Sequence, residues 1–198
     1  MIVRPSEELR IGSFVMRPTH DVDVEVYTEA QRASHAHLAQ YEGWAQPVPT
    51  LAASELWVGY CRTQWQAGTG FTYCTYDALT GDLVGSVGTH PLAADPQGAS
   101  IGYWTLEHRT GSGAATLGTA ALVVAVLNLG VLDRLEIHHD VNNTISARIP
   151  RRLGFQQTEA RPRPRTAPGE AGHELVWRIE RRWFQKTYAH RLWVEEHH

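Results

Sequence analysis

The sequence predicts an α+β protein of three layers (α/β/α), with helices on both faces of one mixed β-sheet. Strand-like and helix-like segments alternate in the middle of the chain, whereas strand follows strand near both ends, an order that places parallel and antiparallel neighbours in one sheet. The chain has 198 residues, 42% of them hydrophobic and 20% charged. That is enough for a single core and too apolar for a disordered chain.

Hydrophobic periodicity and turn residues place the individual elements. Helices are predicted where Ala, Glu and Gln dominate or where the apolar period is near 3.6, and strands where the period is two. Pro and Gly mark the ends of several segments. The predicted helices are 19 or 20 to 40, 50 or 54 to 67, 114–129 and 143–153, the last interrupted by Pro150; the predicted strands are 14–17, 71–76, 83–89, 100–106, 135–141, 155–160 and 174–179.

Composition excludes several classes of protein. The net charge of −3 gives no general electrostatic reason to bind nucleic acid. The N-terminus has no apolar signal segment, and the longest apolar run, 114–132, is too interrupted to cross a membrane. Two cysteines, Cys61 and Cys74, lack metal-ligand spacing. We therefore expect a cytoplasmic protein with no metal site.

The segment Thr110-Gly111-Ser112-Gly113-Ala114-Ala115-Thr116 carries the strongest chemical signal. It follows a predicted strand and opens a long apolar helix. Glycines in such a turn let successive backbone N–H groups point into one concavity, and the helix adds a partial positive charge. Together these features favour a phosphate or pyrophosphate, although the same pattern also occurs in ordinary tight turns.

Two nucleotide motifs fit this turn poorly. A dinucleotide fingerprint needs a third glycine where Thr116 stands, and an acidic residue at the end of the next strand, whereas Glu136 lies near its start. A triphosphate loop needs a Lys-Ser/Thr pair, which is missing from the turn. Both interpretations therefore weaken.

At this point the sequence resembles the GNAT acetyltransferases, in particular the subgroup of ribosomal-protein N-terminal (α-amino) acetyltransferases. Five segments occur in the family's order and spacing over about residues 10–180. They are 100–104 (SIGYW), 111–116 (GSGAAT), 133–137 (DRLEI), 143–146 (NTIS) and 152–155 (RLGF). The resemblance implies the GNAT fold, with a mostly antiparallel twisted sheet of about six to seven strands in a domain spanning 1–180. It also implies acetyl-CoA as co-substrate.

The resemblance assigns coenzyme contacts residue by residue. The backbone of Trp104, Thr105 and Leu106 would pair with the pantetheine arm, and Leu106 lies near the expected oxyanion donors. Asn143 and Ser146 would approach the sulfur. The pyrophosphate would be held by the N–H groups of Gly111, Ser112, Gly113, Ala114, Ala115 and Thr116, with Arg109 and Thr110 beside them.

Three positions depart from the family pattern. Thr110 replaces the usual Arg or Gln, and Ser100 replaces an acidic residue that often acts as base. Pro150 stands where many relatives carry a Tyr that serves as general acid. These departures leave Ser146 as the expected group that protonates or hydrogen-bonds the departing sulfur. They also keep open a non-catalytic acyl-CoA-binding module.

Acetyl transfer needs a neutral amine, and an α-amino group with a pKa near 8 is partly neutral at pH 7 whereas lysine is not. The expected acceptor is therefore a protein or peptide α-amino group, and the alternative is a small amine such as an antibiotic. The candidates for the base are Glu42, Glu107, Glu136 and His138. Tyr41, Glu42 and Trp44 are expected to line the acceptor site.

Two remaining segments have an expected but less specific role. The run Arg161-Pro162-Arg163-Pro164-Arg165 is typical of a solvated loop, or of a loop that guides an acidic acceptor. It lacks interleaved aromatics, so direct nucleic-acid readout is not expected. The aromatic-rich tail, 181–198, is predicted to form a helical extension that docks on the domain or on a second copy in a homodimer. Its last residues resemble the start of a purification tag.

Overall fold

The computed structural model describes residues 2–93, 95–187 and 195–196. Over these residues, nine strands form one sheet in the order β7-β8-β6-β5-β4-β3-β2-β1-β9. Neighbours are antiparallel except for β5 and β6, which are parallel. The strands are β1 Leu9–Ile11, β2 Phe14–Pro18, β3 Thr72–Asp77, β4 Leu83–Leu92, β5 Asp95–Thr105, β6 Arg134–Asp140, β7 Gln156–Pro162, β8 His173–Glu180 and β9 Glu195–Glu196.

Six α-helices flank the sheet over the described ranges. They are α1 Val24–Ala33, α2 His35–Ala39, α3 Leu51–Ala67, α4 Ala114–Asn128, α5 Arg148–Arg152 and α6 Arg181–Thr187. The mixed sheet and the α+β class are confirmed, but the sheet has more strands than the six to seven predicted. The extra strands, β1 and β9, are too short to give a clear periodic signal.

Two predicted helices are wrong in extent. The helix expected to start at 19 or 20 begins only at Val24, because the Asp23 carboxylate caps it by accepting from the N–H groups of Glu25 and Val26. The helix expected over 143–153 shrinks to Arg148–Arg152 after a series of turns. Pro150 has no N–H to donate, which limits any longer hydrogen-bond ladder there.

Apolar residues form a core on each face of the sheet. On one face, α4 buries Leu122 and Val126 against Ile101 and Ile137, and Phe184 of α6 belongs to the same cluster. On the other face, Tyr27 of α1 and Val58 of α3 pack on the sheet near Cys74. Phe184 thus docks the start of the tail on the domain; the predicted helix beyond 187 lies outside the described residues as far as 194.

The parallel strands β5 and β6 separate before they end. Their register runs from Gly98 opposite Arg134 to Ile101 opposite Ile137. Beyond that pair β5 continues to Thr105 and β6 to Asp140 without pairing to each other, although each stays paired with its other neighbour, β4 or β8. A gap therefore opens in the middle of the sheet and connects its two helical layers.

Within the described ranges, no helix combines the length and apolar character that a membrane crossing requires.

Candidate active site

The gap presents backbone groups of β5. The Leu106 N–H donates to Val84 O at 2.9 Å, and alternate residues of an antiparallel strand face the same neighbour. Trp104 and Leu106 therefore direct their N–H groups at β4, whereas Tyr103 and Thr105 direct theirs into the gap. The oxyanion donors are expected among strand N–H groups near Leu106; the Leu106 N–H itself has a partner in the sheet, so the N–H groups that face the gap are those of its neighbours Tyr103 and Thr105.

The glycine turn lies between β5 and α4. Gly111 and Gly113 have φ values of 80° and 87°, and a Cβ placed on Gly111 would meet nothing within 4 Å. Glycine is thus required there by backbone conformation and not by crowding. The turn residues are the ones predicted, and α4 starts at Ala114 as expected.

Several N–H groups of this turn remain available. Thr110 N–H and Ser112 N–H bond to Glu107 O and Arg109 O, and Ala114 N–H reaches Ser112 Oγ at 3.4 Å. Among the described residues no acceptor engages the amides that remain, which belong to Gly111, Gly113, Ala115 and Thr116. They sit at the positive end of the 15-residue helix α4, so the turn can bind an anion such as a pyrophosphate.

A cavity of about 530 Å³ lies beside the gap. Tyr103 and Ile101 reach it from the α4 face of the sheet, while Gly102 and Trp104 reach it from the α1–α3 face, because successive residues of a strand point to opposite faces. The predicted acceptor residues Tyr41, Glu42 and Trp44 line it, as do Asn143, Ser146 and His138. The gap thus brings both sets of predicted residues to one space.

Glu42 is the carboxyl of this cavity with the most free hydrogen-bonding capacity. Its Oε2 accepts one hydrogen bond, from Trp44 Nε1 at 2.8 Å. Asp140 and Glu170 also line the cavity, but each accepts hydrogen bonds from several backbone N–H groups. Burial raises the pKa of Glu42 to about 7, against the opposing effect of the Trp44 N–H. This carboxyl can exchange a proton near neutral pH.

Tyr103 and Ser146 form a hydroxyl pair across the gap. Their oxygens are 2.8 Å apart, and either can be the donor. Asn143 Oδ1 accepts from the Ser146 N–H at 3.1 Å and so fixes the turn that presents the serine. Burial raises the pKa of the Tyr103 phenol despite its bond to Ser146. The pair is therefore neutral at physiological pH and can donate a proton or a hydrogen bond.

Two loops form one wall of the cavity. Gly169 of the β7–β8 loop donates its N–H to Gln40 O at 2.8 Å, and Asn142 Nδ2 donates to Gly169 O at 3.0 Å. A Cβ on Gly169 would lie 2.6 Å from Gln40, and one on Gly43 would lie 2.5 Å from Thr166. Such close approach is possible only for glycine. We call residues 40–46 and 163–172 together the loop wall.

The Asp140 carboxylate anchors the loop wall to the end of β6. It accepts hydrogen bonds from the N–H groups of Asn142, Ala171 and Gly172 at 2.9–3.0 Å. Burial opposes its ionisation, but these backbone bonds outweigh burial and hold the pKa of Asp140 below its ordinary value. Arg163 and Glu170, an ion pair within the wall, line the cavity from the anchored loop.

Several predicted residues lie in less suitable surroundings. Glu107 is exposed and does not line the cavity. Glu136 is buried and bonded by His138 and Arg178, which outweigh its burial and hold its pKa below the ordinary value. His138 lines the cavity, but its Nε2 is hydrogen-bonded to Glu136. Arg109 donates to Asp77 Oδ2 at 2.6 Å, so its guanidinium is engaged away from the glycine turn.

Sequence reasoning missed the roles of several cavity residues. Tyr103 lies inside the segment 100–104 that carried the resemblance, and this membership was the available signal. For Asp140, the sequence indicated a position at the end of a predicted strand but no role. For Trp57 and His90 the sequence gave no functional signal, because an aromatic residue on an amphipathic helix or strand is usually a core residue.

The chain is similar to known acetyltransferases. Residues 13–156 match the model of the "Acetyltransferase (GNAT) domain". A protein of Bacillus subtilis (strain 168), named "Putative ribosomal N-acetyltransferase YdaF", is 30% identical over 105 residues, which are 52% of this chain and 57% of that protein. The match thus spans little more than half the length of that relative.

Solved structures share the fold at low identity. RimL, a ribosomal L7/L12 alpha-N-protein acetyltransferase in complex with coenzyme A, superposes with a TM-score of 0.79 at 20% identity, over 88% of this chain and 98% of that one. The microcin C7 self-immunity acetyltransferase MccE, in complex with acetyl-CoA and AMP, gives 0.75 at 16% identity, over 85% and 92%. With the match over residues 13–156, the chain belongs to the GNAT acetyltransferase family.

Proposed function

We propose that this protein transfers the acetyl group of acetyl-CoA to a primary amine, and that the amine is the α-amino group of a protein or peptide. The observation that carries the proposal is the gap beyond Ile101 and Ile137. On one side of the gap β5 leads into the glycine turn and α4, and beside the gap lies the cavity that holds Glu42. A donor and an acceptor can therefore meet from opposite faces of the sheet.

On the donor side, the free amides of Gly111, Gly113, Ala115 and Thr116 hold the pyrophosphate. The Thr105 backbone faces the gap and pairs with the pantetheine arm. Acetyl-CoA supplies the activated acyl group when bound. The N–H groups of Tyr103 and Thr105 are placed to stabilise negative charge on the acyl oxygen, a role that backbone amides fulfil in other acyl transfers.

On the acceptor side, Glu42 takes a proton from the amine. Its pKa of about 7 lies close to that of an α-amino group, near 8, so the carboxylate is present at neutral pH and remains basic enough to act. Ser146 and Tyr103 donate to the departing thiolate. Their direct hydrogen bond lets a proton given up by one be replaced from the other.

The loop wall supports an α-amino acceptor. Because the β7–β8 loop and residues 40–46 are bonded to each other, the cavity is closed on that side and admits the end of a chain more easily than a side chain in the middle of a folded surface. YdaF and RimL carry names that describe ribosomal and alpha-N-protein acetyltransferases, and a protein acceptor agrees with them.

A small amine is the second candidate acceptor. Aromatic residues, among them Trp44, Trp57 and Trp104, contribute much of the cavity lining, and flat apolar walls suit a ring-containing small molecule. MccE is described in complex with AMP, which favours including nucleotide-linked amines in any test.

Release of free CoA thiol, measured with peptides, polyamines, aminoglycosides and aminoacyl nucleotides, separates these acceptors. We expect peptides with a free N-terminus to be acetylated and the same peptides, blocked at the N-terminus but holding an internal lysine, to be inactive. Mass spectrometry locates the acetyl group. Turnover confined to small amines would contradict the α-amino proposal, and tight acetyl-CoA binding without turnover on any amine would contradict the enzymatic one.

A further inference from the structure

The cavity extends from the catalytic gap into a pocket between the sheet and helices α1 and α3. We call this part the inner arm. Its floor comes from β3, β4 and β5, and its roof from the two helices. Its lining residues are Tyr27, Gln31, Ser54, Trp57, Thr72, Ser86, Gly88, His90, Gly102 and Trp104.

Two glycines keep the floor of the inner arm open. Gly88 and Gly102 are directly opposite each other in the β4–β5 register. A Cβ on Gly88 would overlap the Thr72 side chain, and one on Gly102 would approach His90 Nε2 at 3.4 Å. Any larger residue here would reduce the space beneath the helices, so the arm is built to remain accessible from the gap.

The Trp57 indole provides an unused donor in this space. Its Nε1 is buried, and no acceptor among the described residues is within hydrogen-bonding distance of it. The Tyr27 phenol lies near this indole and that of Trp104, which oppose the rise of its pKa on burial, but it is not within hydrogen-bonding distance of Trp57 Nε1. A buried donor without a partner costs free energy unless something bound there accepts from it.

The lining of the inner arm carries no charge at neutral pH. None of its residues is an Asp, Glu, Lys or Arg, and burial lowers the pKa of His90, which keeps that imidazole neutral. The charged groups of the cavity, including Glu42, Asp140 and Arg163, come from the loop wall and β6 instead. A charged group that entered the inner arm would lose its water without gaining a counter-ion.

We propose that the inner arm receives the side chain of the acceptor's first residue, and that it selects an uncharged side chain carrying a hydrogen-bond acceptor, with Trp57 Nε1–H as the donor that recognises it. This inference rests on the proposed function, because the side chain enters the arm only when the neighbouring amine sits in the gap. Trp57 is then a specificity residue that touches the substrate without taking part in proton transfer.

Three peptides of equal shape test the proposal. They differ only at the first residue, which is Asn, Leu or Asp, and kcat/KM is measured for each from the release of CoA thiol. Asn should exceed Leu by about tenfold, the value of one neutral hydrogen bond to an otherwise unpaired donor. Asn should exceed Asp by more than that, because the carboxylate must be desolvated. If kcat/KM for the Leu or the Asp peptide equals that for the Asn peptide, the proposal is wrong. This comparison needs only the wild-type protein.

A matched pair of variants assigns the recognition to Trp57. Trp57→Phe keeps an aromatic ring but removes the N–H, so the Asn/Leu ratio should fall towards one while the Asn/Asp preference persists. Tyr60→Phe removes a hydroxyl from the ring stacked on Trp57 and should leave both ratios unchanged. An Asn/Leu ratio that survives in Trp57→Phe overturns the role of the indole.

The same assay distinguishes failure of this inference from failure of the proposed function. If the peptides are acetylated but first-residue identity has no effect, only the inner-arm assignment is wrong. If no free N-terminus is acetylated, the α-amino acceptor and this inference are both wrong.

Discussion

The Tyr103 hydroxyl lies 2.8 Å from Ser146 Oγ, and this bond crosses the gap where β5 and β6 stop pairing. Tyr103 comes from β5, and Ser146 from the turn after β6. Both hydroxyls are held in place, since Asn143 fixes the serine backbone and the tyrosine ring packs against the α4 core. A thiolate formed in the gap would meet a pair of donors and not a single one.

Removing either hydroxyl should slow the reaction. Ser146→Ala and Tyr103→Phe are each expected to lower kcat by about 10²-fold, the lower end of the effect of a positioned general acid. The double variant should be little worse than either single one, because the two groups act as a unit. Steady-state kinetics at saturating acetyl-CoA, with melting temperatures as the folding control, measure the effect. Two single variants that keep wild-type turnover would remove both residues from the mechanism.

Glu42 should set the acid limb of the pH–rate profile. Because burial raises its pKa to about 7, kcat/KM should rise with pH through that value as the carboxyl ionises. Glu42→Gln should lower kcat/KM by about 10²-fold and remove this limb. Trp44→Phe deletes the N–H that favours the carboxylate, so the limb should move to higher pH. If the acid limb of the kcat/KM profile stayed at the same pH in Trp44→Phe, a group other than Glu42 would set it.

The Glu42 carboxyl should also make the folded protein less stable as the pH rises, over the same range in which kcat/KM increases. The pKa of Glu42 is raised from 4.5 in the unfolded chain to about 7 in the folded protein, so the folded protein binds the proton more tightly. Its contribution to the free energy of unfolding is present below pH 4.5 and is lost as the pH rises through 7. The melting temperature should fall more between pH 5 and pH 8 in the wild type than in Glu42→Gln. If the melting temperature fell equally in both proteins, the Glu42 carboxyl would be solvated and its pKa would not be raised by folding.

Local signals predicted most of the fold. Period-two alternation located β3, and the helix α3 begins after Thr50 and ends before Gly68, which has a φ of 71°. The same kind of signal failed near residue 20, because Val22 and Val26 fit both a strand and a helix period. There the Asp23 cap, a hydrogen-bond choice, decided where the helix begins.

The site could be predicted only where it is local in sequence. The turn from Gly111 to Thr116 is one continuous segment, so its residue types revealed its conformation. The hydroxyl pair, the loop wall and the inner arm join residues far apart in the chain; Tyr103 and Ser146, for example, are 43 positions apart. Leu106 shows a further limit, because which N–H groups face the gap depends on the register of β4 against β5.

The glycine turn can be tested with a matched pair of substitutions. Gly111 and Gly81 have φ values of 80° and 76°, and a Cβ on either would meet open space. Replacing either by Ala should therefore cost a similar amount of stability, about 1 kcal/mol. Only Gly111→Ala changes the anion-binding turn, so only it should raise the KM for acetyl-CoA, by about tenfold. Equal KM values for the two variants would contradict the pyrophosphate assignment.

Asp140 should control the acceptor and not the coenzyme, because its carboxylate anchors the β7–β8 loop through hydrogen bonds to Asn142, Ala171 and Gly172. In Asp140→Asn one carboxylate oxygen becomes an amide nitrogen, which donates and cannot accept, so at least one of the three backbone hydrogen bonds is lost. The loop wall should loosen, so the KM for peptide rises about tenfold while the KM for acetyl-CoA stays constant. The free energy of unfolding should fall by about 2 kcal/mol.

The pH dependence and a control at the other end of β6 distinguish this anchor from a general loss of negative charge. Because the pKa of Asp140 is held below its unfolded value of 3.8, its stabilisation is present above that value and is lost as the pH falls through the folded pKa. The difference in stability between wild type and Asp140→Asn should therefore shrink in strong acid. Asp133→Asn breaks a half-exposed ion pair with Arg181, which is worth little. If it raised the peptide KM as much as Asp140→Asn does, the anchoring role would be wrong.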